Sequence, residues 1–170
     1  MPSDSNLSTD VYLAANPLTV VSNLGIGSTL LGGAGNDTLI GGNHNDVLRG
    51  GRGNDILTGG VGVDQFVFEA PTFNGIDQII DFMSGMDKLV INAADYGLAP
   101  GSAAEIVNSA LGVPSGMGSQ FVFNTSDHSL WWAQGGVSSN PMTQIASFGA
   151  NTQILAASDF SVVAGNTLPG

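Results

Sequence analysis

One large apolar residue returns at every ninth position between residues 32 and 67, at Leu39, Leu48, Leu57 and Phe66. The positions between are mostly small or polar, and the segment divides into GGAGNDTLI, GGNHNDVLR, GGRGNDILT and GGVGVDQFV. A glycine pair opens each unit, at 32/33, 41/42, 50/51 and 59/60, and Asp37, Asp46, Asp55 and Asp64 hold the sixth position. Such a period marks a repeat architecture, in which each unit is one small structural element stacked on its neighbours. The first six residues of a unit predict a turn, where glycine permits positive φ and close backbone approach. The last three predict a short strand whose middle side chain points inward. A weaker unit precedes, with Leu30 in the apolar column and Ser28 in the aspartate column. A flexible glycine-rich linker has no reason to place a Leu or Phe at every ninth residue.

Downstream the pattern changes. Residues 121–124 and 130–133, joined by TSDH, predict a hairpin, and residues 144–148 and 160–163 predict further strands. Ser102 and Glu105 in GSAAEIVNSAL form an S-x-x-E capping box that predicts a short helix. Trp131 and Trp132 are adjacent, so a regular strand turns one ring inward and one outward. The outward ring is expected to cap a hydrophobic edge; stacking on a sugar is the alternative. Residues 1–21 read as a loosely ordered leader.

The unit G-G-x-G-x-D-x-U-x resembles the calcium-binding nonapeptide of RTX proteins, with His44 standing where one glycine is replaced. The segment that follows, DQFVFEAPTFNGIDQIIDFMSGMDKLVINAADYG, is similar to the one that closes the β-roll in serralysin-type proteases and related secreted RTX proteins. Asp77, Ile79, Asp81, Phe82, Gly85, Asp87, Lys88, Leu89 and Ile91 carry that likeness. With the tail, the resemblance covers about residues 22–163. It implies an all-β fold: a parallel β-roll over residues 22–92, then a β-rich C-terminal cap over 93–170 that includes the short helix.

The resemblance also implies two nonapeptides per coil, so that turns two units apart stack on one edge with Ca²⁺ between them. Carboxylates and backbone carbonyls are the hard oxygen donors this ion prefers. The family's ligand pattern gives one site from Gly33, Gly35 and Asp37 with Gly50, Arg52 and Asp55. A second takes Gly42, His44 and Asp46 with Gly59, Val61 and Asp64. A third uses Gly51, Gly53 and Asp55, completed by Asp77, with Glu69 the candidate for a further acidic ligand. About two or three ions are therefore expected. An imidazole at position 44 is a zinc-type ligand. Histidine is also enriched at positive φ, so the expectation is that the His44 carbonyl, not its ring, faces calcium.

Charge narrows the partners. Lys and Arg number 3 against 14 Asp and Glu, a net charge of −11, which leaves little to neutralise the phosphates of nucleic acid or anionic membranes. There is no Cys, hence no disulfide and no thiolate site. With 42% hydrophobic and 10% charged residues the chain is not a charged disordered one, and its 25 glycines match the turns. No apolar run approaches the length of a membrane span. Neither H-E-x-x-H nor G-x-S-x-G occurs. The pair Asp77 and Asp81 and the lone Lys88 belong to the roll-closing motif, so no enzymatic activity is expected of this chain.

The first residues carry neither a basic nor a long apolar stretch, which predicts no cleaved signal peptide. The RTX resemblance implies an extracellular bacterial protein, secreted through a type I ABC exporter by an uncleaved C-terminal signal. Asp159, Phe160, Val162 and Val163 in ASDFSVV resemble that signal. It implies folding driven by calcium outside the cell, where binding energy becomes folding energy. The alternatives are a non-catalytic C-terminal module of a secreted hydrolase or epimerase, and a calcium-dependent adhesion or glycan-binding protein.

Overall fold

Each nonapeptide lays down one strand. The computed structural model describes residues 10–11, 19–22, 26–116, 118–135, 142–152 and 154–165. Within them, strands β1 (Asp10–Val11) and β2 (Thr19–Val21) lead into β3 (Thr29–Ala34), β4 (Thr38–Asn43), β5 (Val47–Arg52), β6 (Ile56–Val61) and β7 (Gln65–Phe68). Strands β3 to β6 are six residues long, twice the expected length, because pairing runs on through the glycine pair: Gly33 lies beside Gly51 and Gly42 beside Gly60. The close approach demands glycine. A Cβ on Gly51, whose φ is +100°, would stand 2.1 Å from the Gly33 carbonyl oxygen.

Alternate strands belong to alternate sheets, so two units make one coil. The roll closes through β8 (Asp77–Ile79) and β9 (Lys88–Asn92). The cap adds β10 (Ile106–Ser109), β11 (Gln120–Asn124), β12 (Ser129–Ala133), β13 (Thr143–Phe148) and β14 (Phe160–Val163). One sheet runs β1-β3-β5-β7-β9-β14 and the other β10-β11-β12-β13-β8-β6-β4-β2. The cap thus continues both sheets of the roll, by β13 beside β8 and β14 beside β9, each in parallel.

Registry carries the apolar column into the core. Leu30, Leu48, Phe66 and Leu89 stand side by side in one sheet, and Leu39, Leu57 and Ile79 in the other. All seven are at most 1% exposed. Aromatic rings fill the wider space under the cap. Phe82 meets Phe148 edge-on at 5.4 Å, and Phe121 stacks on Phe160 at 4.6 Å.

The expected hairpin forms from β11 and β12. Trp132 turns inward against Tyr96 and Phe121, while Trp131 is half-buried on the other face and donates from Nε1 to Ser129 Oγ. The short helix at 102–111 does not form. Ile106–Ser109 is a strand parallel to β11, and the Ser102 hydroxyl makes no capping bond. Two causes are visible: the β-branched Ile106 and Val107 favour a strand, and Asn108 is pinned by two bonds to the backbone of Leu155. Among the described residues the helical turn is a 3₁₀ one at Ala157–Asp159. Within the segment read as a leader, β1 pairs with β3 and β2 with β4, so the described residues 10–11 and 19–21 join the parallel stacking, and the rest of residues 1–21 lies outside the described residues.

Truncating one core leucine tests this packing against an exposed control. Leu48→Ala is expected to cost about 2–5 kcal/mol in chemical denaturation of the calcium-saturated chain. Leu111→Ala, at a side chain 81% exposed, should stay within about 0.5 kcal/mol of the parent.

Candidate metal centre

The sixth-position aspartates are buried in spite of their charge: Asp37, Asp46, Asp55 and Asp64 are each 1% exposed. Each coil brings one aspartate above another, and the carboxylate of the later one reaches back. Asp55 Oδ1 accepts the Asp37 N–H at 2.8 Å, and Asp64 Oδ1 accepts that of Asp46 at 2.9 Å. The bonds continue at both ends. Asp46 Oδ1 takes the Ser28 N–H, Asp77 that of Asp55, and Asp87 that of Asp64. The result is two ladders: Asp37–Asp55–Asp77 along one edge and Ser28–Asp46–Asp64–Asp87 along the other.

A second set of rungs lies beside the first. Asn36, Asn45 and Asn54, one position before the aspartates, accept through Oδ1 from the N–H of Asn54, Val63 and Ile76. These bonds run in the opposite chain direction to those of the aspartates, so the turns of Asp37 and Asp55, of Asp46 and Asp64, and of Asp55 and Asp77 are held from both sides. Neither the asparagines nor Asp87 figured among the expected site residues, although Asn at three fifth positions was visible in the repeat.

The glycines opening each unit stand where oxygen atoms of successive turns approach closely. A Cβ on Gly32 would stand 2.6 Å from Asp37 Oδ2 and 2.5 Å from the Gly50 carbonyl oxygen of the next coil. On Gly41 it would stand 2.7 Å from Asp46 Oδ2 and 2.6 Å from the Gly59 carbonyl oxygen. A carboxylate and a carbonyl of successive turns therefore face one space in each case. Asp46 Oδ2 and Asp55 Oδ2 are buried without any hydrogen-bond partner. A buried anionic oxygen in that condition is costly unless a cation meets it. No three His, Cys, Asp or Glu side chains converge among the described residues. An ion held here would draw ligands from backbone carbonyls as well as carboxylates, the donor set that suits Ca²⁺.

The three basic side chains are occupied away from this space. Arg49 pairs with Glu69, Arg52 lies over the Phe73 ring at 4.9 Å, and Lys88 donates to the Ser158 carbonyl at 2.8 Å. Burial pushes Asp55 and Asp64 up to about 6, while the N–H bonds they accept pull the other way. Asp46 and Asp87 are raised by the same cause. Burial pushes Asp77 further, up to about 8.

The two turns of the first expected site lie side by side. The Gly33 and Gly35 carbonyls point at Gly51 and Gly53, and the Arg52 carbonyl accepts the Gly35 N–H at 2.8 Å, leaving a second lone pair. In the second set the Gly42 and His44 carbonyls lie against Gly60 and Gly62, and Val61 lies beside Asn43. His44 adopts φ 85°, and its exposed ring bonds the neighbouring Asn43 carbonyl through Nδ1. In the third set the Gly53 carbonyl meets Gly75, Asp77 bonds the Asp55 N–H, and Glu69 is held in the Arg49 ion pair. Asp81 accepts from the N–H groups of Gly59 and Gly60, closing that edge of the fourth unit.

A family model for the RTX calcium-binding nonapeptide repeat, in four copies, matches residues 31–66. Those residues are RTX repeats. No curated protein matches the chain in sequence. Among solved structures, the RTX roll and its cap are similar to the AlgE6R3 subunit from the Azotobacter vinelandii mannuronan C5-epimerase, in its solution structure. The identity is 21%, the TM-score 0.56, and the match covers 93% of this chain and 86% of that one. The likeness is one of fold, and it extends from the repeats through the cap.

The raised carboxyls predict a pH dependence for the metal-free RTX roll. Their folded values lie above the model-compound value of 3.8, so the folded chain binds protons more tightly than the unfolded one. The stability this contributes is complete below about pH 4 and is lost as pH rises through about 6 for Asp55 and Asp64 and about 8 for Asp77. In excess chelator, the β signal in circular dichroism should be larger near pH 5 than near pH 8. The reverse order would contradict the burial of these groups.

Proposed function

We propose that this chain is a calcium-binding module whose roll folds as Ca²⁺ enters between stacked turns, after export through a type I secretion system into a calcium-rich medium. The observation that carries the reading is the pair of unpartnered buried oxygens, Asp46 Oδ2 and Asp55 Oδ2, on ladders of like charge. Without a cation the aspartates repel one another and the glycines favour the disordered chain. With calcium the charges are neutralised, and because the site exists only in the folded state, binding drives folding. Scarce calcium inside the cell would keep the chain unfolded for passage; abundant calcium outside would close it.

The terminal ASDFSVV segment has a structural role beside any role in export. Asp159 is fully buried, with Oδ1 accepting the Gly85 N–H and Oδ2 accepting from Ser84 Oγ and the Ala156 N–H, and Phe160–Val163 forms β14. A second reading is a non-catalytic module of a larger secreted polysaccharide-modifying enzyme. The domain-length likeness to a subunit of a mannuronan C5-epimerase favours it. The two readings share the calcium step and differ only in what the module accompanies.

Circular dichroism at neutral pH tests the shared step. The β signal should rise as Ca²⁺ goes from micromolar to millimolar and fall again on adding chelator. Mg²⁺ at equal concentration should do much less, because it requires a tighter octahedral shell and holds its water. A roll fully formed in excess chelator would contradict the coupling.

A further inference from the structure

The two carboxylate ladders end differently from the way they run. Asp55 and Asp77 each give Oδ1 to the aspartate N–H one coil earlier, at 2.8 and 3.1 Å. Their second oxygens then differ. Asp55 Oδ2 is buried with no partner, whereas Asp77 Oδ2 accepts from Asn74 Nδ2 at 2.6 Å. Asn74 is itself fully buried, and its Oδ1 accepts the Glu69 N–H at 3.0 Å. A backbone N–H can bond only the amide's oxygen, which fixes the Asn74 amide with its N–H groups toward Asp77. Glu69, the other carboxylate considered for this rung, is paired with Arg49.

The opposite edge ends in the same manner. Asp87 Oδ1 accepts the Asp64 N–H at 3.0 Å and its Oδ2 accepts the Met83 N–H at 2.8 Å, while Asp46 Oδ2 farther up that ladder has no partner. Chain spacing explains the change. Rungs inside the repeat join residues 18 apart, but the closing rungs span 22 and 23. The longer connections bring in the added donors, the Asn74 side chain and the Met83 backbone.

We infer that the closing rung at Asp77 holds the Asn74 amide in place of a calcium ion, so that Gly51, Gly53, Asp55 and Asp77 form a metal-free stop and not a third ion site. The amide hydrogens satisfy the oxygen that a cation meets elsewhere, and a cation placed there would face a donor in place of a ligand. The last rung is then ordered by the protein's own hydrogen bonds, and the ions are confined to the rungs above it. This inference rests on the calcium reading for those upper rungs.

Calcium bound per chain, counted by equilibrium dialysis at saturating Ca²⁺, tests it on the full chain with folding checked by circular dichroism. Asp77→Asn should bind as many ions as the parent; a folded variant holding one ion fewer would overturn the inference. Asn74→Asp sets a carboxylate oxygen against Asp77 Oδ2 where an N–H stood, a like-charge contact that calls for a cation. Its count should rise by one, and an unchanged count in the folded variant would also overturn the inference. Should Asp77→Asn fail to fold, the Asn74→Asp count decides alone. A parent chain that takes up no calcium at all would overturn the calcium reading itself, a result distinct from a parent that binds calcium and loses an ion in Asp77→Asn.

Discussion

The carboxylates of Asp37, Asp55 and Asp77 stand above one another along one edge of the roll, and those of Asp46, Asp64 and Asp87 along the other. Burying like charges in register is unfavourable on its own, since each loses water and repels the next. Most other features of the roll answer to that constraint. One oxygen of each later aspartate is satisfied by an N–H from the coil before. The second, on Asp46 and Asp55, has no hydrogen-bond partner in the protein, and on Asp46 it shares the space beside Gly41 with the Gly59 carbonyl oxygen. The fold therefore supplies half of what the carboxylates need and leaves the rest to a cation.

The core supplies what the ladders lack. Two columns of Leu, Ile and Phe, stacked coil on coil with almost no exposure, bury apolar surface whether or not metal is present. They set the registry that brings one aspartate over the next. The cap adds its own strands to both sheets, so the closing segment is held against β13 and β14 and does not end in an open edge. Asp159 ties that segment down through Ser84 and Gly85, a few residues from the Asp87 rung. On the proposed reading, calcium completes a frame whose core already favours the folded registry.

The roll was legible because its signals are periodic. A nine-residue apolar column and an aspartate column specify strand spacing, inward faces and stacked turns, and the structure has all three. The hairpin at 121–133 was legible from local turn and strand residues. The strand at 106–109 was not: the Ser102/Glu105 box is a local cue, whereas the pairing with β11 and the Asn108 bonds to Leu155 come from distant parts of the chain. Asp87, legible only as part of the closing motif, and Asn74 escaped as site residues for a related reason. They act at closing rungs whose spacing departs from the repeat, so the columns that reveal Asp37 and Asp46 do not reach them. The asparagine rungs at 36, 45 and 54 were within reach, since one residue type recurs in one column.

Crystals grown in calcium, with anomalous diffraction locating the ions, test the central claim most directly. The account predicts calcium between the turns of Asp37 and Asp55 and between those of Asp46 and Asp64, with the Gly50 and Gly59 carbonyls among the ligands. Calcium found only at exposed acidic side chains such as Glu105 and Asp127, with the space beside Gly32 and Gly41 empty, would contradict it.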